Sequence, residues 1–103
     1  MRITLNHQDI INALCISTAI ECSDFHKHYN HLNDVYVEEI NHHEINRFSA
    51  NVVIHNRNRY LKQQDMINYI GIYLSNYYKF KIKDLLIEIK IDNDNLIAEI
   101  EVE

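Results

Sequence analysis

Along two stretches of this chain apolar residues recur every three or four positions, and along several others they recur every second position. That change of period divides the sequence into elements. Between His7 and Cys22, the residues Ile11, Leu14, Cys15, Thr18 and Cys22 follow the i, i+3, i+4, i+7, i+11 spacing of one buried helical stripe. Ile67, Ile70, Gly71, Leu74 and Tyr78 repeat the stripe between Gln63 and Tyr78. Elsewhere the period is two. Leu85, Ile87, Ile89 and Ile91 share one strand face, as do Leu96, Ala98, Ile100 and Val102, with "DNDN" as the turn between the two strands. An earlier pair keeps the same alternation through Val35 and Val37, then Phe48, Ala50, Val52 and Ile54. Glu38 and Glu39 interrupt it, and one extra residue in a β-bulge would return Ile40 to the inner face.

The elements come twice in the same order. "LNHQDIIN" from Leu5 resembles "LKQQDMIN" from Leu61, "DVYVEEI" from Asp34 resembles "DLLIEIK" from Asp84, and "FSANVVI" from Phe48 resembles "LIAEIEV" from Leu96. The pattern predicts one α+β domain over 1–103 with two layers: a four-stranded antiparallel sheet carrying two helices on one face. It would be built from an internal αββ duplication, with repeats of about 1–56 and 57–103 and a short leading strand at "RITL" and "NRYL". Gln8, Asp9 and Asn12 reappear as Gln64, Asp65 and Asn68. A catalytic set has little reason to occur twice in one small chain, whereas every helix needs a start signal. Asp9 and Asp65 fall in a first helical turn, where free N–H groups favour negative charge, and Asn6 is placed to cap the first helix.

Composition narrows the function. With 103 residues and 47% hydrophobic content, the chain can bury a core. No apolar run reaches the ~18 residues of a membrane span, and "MRITLNHQDI" lacks the layout of an export signal, so the expected home is the cytoplasm. The net charge is −5, and the densest basic stretch, "YYKFKIKDLL", holds three lysines, which argues against nucleic acid as a partner. Cys15 and Cys22 stand two helical turns apart, roughly 10 Å along an axis rising ~1.5 Å per residue, too far to pair. They read as small buried hydrophobes in a reducing compartment.

Three features differ between the halves. The connection after the first helix is longer and carries His26, His28 and His31, with His42 and His43 in the next hairpin. Imidazoles in H-x-H-x-x-H spacing can hold Zn or Ni, although the motif matches no standard zinc layout and loop histidines are usually just solvated. On the second helix, Tyr69, Tyr73 and Tyr77 face Ala13, Ser17 and Glu21 at the matching positions of the first. Large residues against small ones is what close packing of two helices requires; the other reading is an exposed aromatic strip that binds a protein partner. Last, Glu38, Glu88, Glu99, Glu101 and Glu103 are expected on a solvated outer sheet face.

The segments "QDIINALC", "FSA" and "QQDMIN" resemble the YxcD-like family of small uncharacterised proteins of Bacillus-type bacteria. The resemblance spans essentially the whole chain and implies a cytoplasmic, Gram-positive setting. It supplies no activity, cofactor or catalytic residue, and the His-rich connection departs from the family's more acidic one. The sequence thus predicts a non-enzymatic protein that associates with itself or another protein through the tyrosine-bearing helix or a sheet edge. The alternative is a module binding a transition metal or small ligand through the histidine loop. No nucleophile elbow, phosphate loop or zinc-hydrolase motif supports an enzyme.

Overall fold

A computed structural model describes residues 1–22, 35–43 and 47–103. Strand β1 (Arg2–Leu5) leads into helix α1 (His7–Cys22), followed by β2 (Val35–His42), β3 (Phe48–Ile54) and β4 (Arg57–Lys62). Helix α2 (Gln63–Tyr78), a single 3₁₀ turn (Ile82–Asp84), β5 (Leu85–Asp92) and β6 (Asn95–Val102) complete the chain. Among the described residues no helix is long and apolar enough to cross a membrane.

The strands form two antiparallel three-stranded sheets, β1-β6-β5 and β2-β3-β4, in place of the single four-stranded sheet that the pattern predicts. The reason lies in the turn after β3. His55 and Asn56 both take positive φ, the geometry of a tight two-residue hairpin, so β4 folds straight back onto β3 with Ile54 opposite Arg57. That pairing occupies the edge of β3 that a second hairpin would need. Likewise β1 lies along β6, with Ile3 opposite Ile100, and Met1 accepts a backbone hydrogen bond from Val102. No self-contained αββ unit results, because each leading strand, β1 or β4, completes a sheet whose hairpin belongs to the other half.

Within the sheets the alternation holds. Ile87, Ile100 and Ile3 lie in one inner row, and Ile89, Ala98 and Leu5 in the next. The register of β2 on β3 shifts between Val37 and Glu39, and this bulge sets Ile40 opposite Ala50. The second hairpin turns at Asn93 and Asp94, both at positive φ, with Asn and Asp doing the work usually left to glycine.

Both helices and both sheets share one core, in which Ile10, Leu14, Met66, Ile70, Leu74, Ile89 and Ile100 are almost wholly buried. The shortest dimension, 19 Å, is that of one helical layer on one strand layer. The buried faces of the helices are wider than a single stripe. On α1 they include Ile10, Ala13 and Ser17 beside Leu14 and Thr18; on α2, Met66 and Tyr69 join Ile70, Gly71 and Leu74. Each helix packs on strands with one side and on its partner helix with another, and the second contact leaves no mark in a one-stripe pattern. Tyr78, assigned to the stripe, lies exposed at the helix end.

Gly71 is helical, and a Cβ built there would sit 3.7 Å from both Ile82 Cγ2 and Ile87 Cδ1, ordinary contact distances. Gly71→Ala is therefore expected to stabilise the fold by about 0.5–1 kcal/mol, through helix propensity and a filled contact, read as a higher urea midpoint at unchanged slope.

Candidate functional site

The repeated polar residues start the helices. Asn6 Oδ1 accepts from the Asp9 backbone N–H at 2.8 Å, and Asp9 Oδ2 accepts from the Asn6 N–H at 3.1 Å, a reciprocal capping box. At α2 a lysine stands where Asn6 stood, so only the return half forms, with Lys62 N–H donating to Asp65 Oδ2 at 2.9 Å. Gln8 Nε2 donates to Asn12 Oδ1 at 3.0 Å, and Gln64 to Asn68 at 2.9 Å, the same i, i+4 bond on both helices. Asp9 and Asp65 each serve the start of their own helix.

The three tyrosines of α2 do not form one strip. Tyr69 is buried, Tyr73 half-buried and Tyr77 56% exposed. Four residues turn a helix by 400°, so each step of four swings the side chain a further ~40° around the axis. Tyr69 lies against α1: its backbone carbonyl accepts from the buried Ser17 hydroxyl at 2.5 Å, and its own hydroxyl donates to the Glu21 carboxylate. Glu21 Oε2 in turn meets Arg59 Nη2 of β4 at 3.1 Å. The network ties α1, α2 and β4 together at a helix contact where Ala13 and Ser17 make room. The sequence offered Glu21 only as a small-side position; its link to Arg59 carries no signal along the chain.

The outer part of the tyrosine row opens onto an aromatic group. Tyr73 packs against Tyr77 at 5.4 Å between ring centroids and edge-on against Tyr78 at 5.9 Å, and Tyr78 lies 6.5 Å from Phe80. Burial, together with a hydrogen bond to the Tyr78 hydroxyl and nearby Asp9, pushes the Tyr73 phenol up to about 12 from its ordinary 10. A raised folded-state value means the neutral phenol favours the fold. Stability is therefore expected to be fully present below pH about 10 and to fall as pH rises toward about 12, with Tyr73→Phe flattening that decline in alkaline urea titrations.

The acidic face is split and partly neutralised. Glu38 belongs to β2 of the other sheet, while Glu88, Glu99 and Glu101 lie on the outer face of β5 and β6. Arg2 Nη2 holds Glu101 at 2.5 Å, and Lys90 Nζ holds Glu99 at 2.7 Å. The Lys90 hydrogen bond depresses the Glu99 carboxyl despite some desolvation.

His26, His28 and His31 lie outside the described residues. His42 ends β2 and stacks on Phe48 at 4.7 Å, and His43, just after it, meets the Ser49 hydroxyl through Nε2 at 2.8 Å. Among the described residues no group of three His, Cys, Asp or Glu side chains could hold a metal. Cys15 is a free thiol whose pKa is raised by burial, which disfavours a reactive thiolate. A cleft of about 330 Å³ opens beside His43, between Arg47, Phe48, Tyr60, Lys62 and the first turn of α2. Phe48 is fixed there by its N–H donating to Gln63 Oε1 at 3.0 Å, and among the described residues no carboxylate lines the walls.

No curated protein and no solved structure matches the chain. A family model described as a protein of unknown function (DUF2653) matches residues 1–94. The chain therefore belongs to the DUF2653 family, whose function is unknown.

Proposed function

We propose that this protein is an association module whose partner is another copy of itself. The observation that carries the reading is the group Tyr77, Tyr78 and Ile82, each more than half exposed, at the end of α2 where the chain enters β5, a strand at the edge of its sheet. Solvent-facing aromatics held together by Tyr73 offer apolar area at low entropic cost, with hydroxyls to satisfy polar groups on a partner. Their burial needs no catalytic residue. Cys15, a reduced thiol, fits a cytoplasmic home, and the resemblance to YxcD-like proteins supports a bacterial one.

Sedimentation across a hundredfold range of protein concentration tests the reading. A mass that rises to that of a dimer is expected, and Tyr77→Ser with Tyr78→Ser is expected to weaken the association at least tenfold without lowering the urea midpoint. A strict monomer throughout would overturn it.

The two cations that line the cleft, Arg47 and Lys62, favour a second reading, binding of a small anion beside them. Inorganic phosphate and a phenyl phosphate would then raise the melting temperature at constant ionic strength, and Lys62→Ala would abolish the rise. Zn or Ni binding by His26, His28 and His31 is a separate proposal, tested by calorimetric titration against the triple Ala variant.

A further inference from the structure

Each of the two sheets has two edges, and three of these four carry a device that discourages pairing. Strand β1 has four residues. Strand β2 is bent by its bulge beside Glu38 and Glu39. Strand β4 carries Arg57, Arg59 and Lys62, and Arg59, opposite the inner-face residue Val52, sets a charge on the inner side of the edge. Strand β5 is neither short, nor bulged, nor charged on its inner side; its charges, Glu88, Lys90 and Asp92, lie on the outer face and alternate in sign. It runs eight residues in unbroken register from Leu85 opposite Val102 to Asp92 opposite Asn95, and Leu86 and Ile91 are exposed on it.

The hairpin fixes which backbone groups face that open edge. Asp92 and Asn95 flank a two-residue turn, so they form a hydrogen-bonded pair and Asp92, Lys90, Glu88 and Leu86 direct N–H and C=O toward β6. Ile91, Ile89, Ile87 and Leu85 direct theirs outward. Resting on the association reading above, we propose that β5 pairs antiparallel with β5 of a second copy, centred on Ile89, to join the two sheets into one of six strands.

Charge and overlap select this register: a centre at Ile91 would also oppose Lys90 to Asp92, but it pairs only residues 90–92 of the strand. With Ile89 opposite its own copy, Glu88 stands opposite the second copy's Lys90, and Lys90 opposite its Glu88, in the pairs where side chains approach most closely. On the inner face Ile87 meets Ile91 twice, covering a residue that the single chain leaves 41% exposed. Ile82 joins them, since it and Ile87 flank the same point on Gly71 from the helix side. A register centred on Glu88 would set that carboxylate against itself. One centred on Lys90 would oppose two lysines and set Glu88 against Asp92. A slip by an odd number would turn inner residues against outer ones. The centre at Ile87 opposes Leu86 to Glu88 and leaves Ile91 uncovered.

Sedimentation of charge variants tests the register. Lys90→Glu puts two carboxylates opposite each other at both crossings and is expected to weaken the dimer at least about tenfold, as is Glu88→Lys. The two single variants, mixed, regain opposite charges at both crossings, so the heterodimer is expected to form at wild-type affinity or better. In the double swap E88K/K90E the new lysine also stands opposite Glu99, which replaces the Lys90 ion pair within the chain. Restored association in the mixture and the double swap supports the proposal. A dimer indifferent to all four combinations overturns the β5 pairing and leaves the association reading standing; a wild-type monomer removes both.

Discussion

Tyr69→Ala is expected to cost about 3–5 kcal/mol of stability, and Tyr69→Phe about 1 kcal/mol. The larger figure follows from position. Tyr69 is 6% exposed and fills the space that Ala13 and Ser17 leave between the helices, so truncation opens a cavity that two helices anchored on sheets cannot close. The smaller figure isolates the hydroxyl. Without it Glu21 keeps Arg59 at 3.1 Å and partial access to water, so no buried charge is stranded. Urea unfolding of both variants is the measurement, with unchanged slope showing that the same surface is exposed. Equal losses would mean that the hydrogen bond, not the packed ring, holds the helices. Ser17→Ala gives a third point, since it removes the donor to the Tyr69 carbonyl while keeping the small volume.

Removal of residues 1–5 is expected to cost about 3–5 kcal/mol, a large part of the ~5–15 kcal/mol that stabilises a domain of this size. Strand β1 is four residues long, and a leading segment of that size could be an ornament. It is not one here, because Leu5 is buried beside Ala98 and Ile3 stands opposite Ile100 on the inner face. Its loss would expose the edge of β6, the middle strand of its sheet, and the Ile100 side chain. The expected readout is a lower melting temperature with faster amide exchange across β6 and β5 and slower loss of protection in β2, β3 and β4. Uniform loss across both sheets would mean that the two sheets unfold as one unit.

The helices were the most legible part of the chain. His7–Cys22 and Gln63–Tyr78 follow from periodicity and from the start signals at Asn6, Asp9 and Asp65, because those interactions join residues three or four apart. The bulge at Glu38 and the "DNDN" turn were equally readable, since a local break in alternation or a turn residue marks each. The candidate surface was only half readable. Spacing put Tyr69, Tyr73 and Tyr77 on one helix side, but their slow rotation around the axis separates a core residue from a solvent-facing one, and only the position of α1 decides where the boundary falls.

By itself, then, the sequence determined the elements, their order and which face of each strand is apolar, since periods of two and of three to four are properties of contiguous residues. Tertiary structure alone decided that the strands form two sheets of three, that Glu21 links Tyr69 to Arg59, and that β5 is left at the edge of its sheet. Those outcomes depend on partners many tens of residues apart. A strand's pattern says which side faces a core, but it does not say which other strand supplies the hydrogen bonds along its edge.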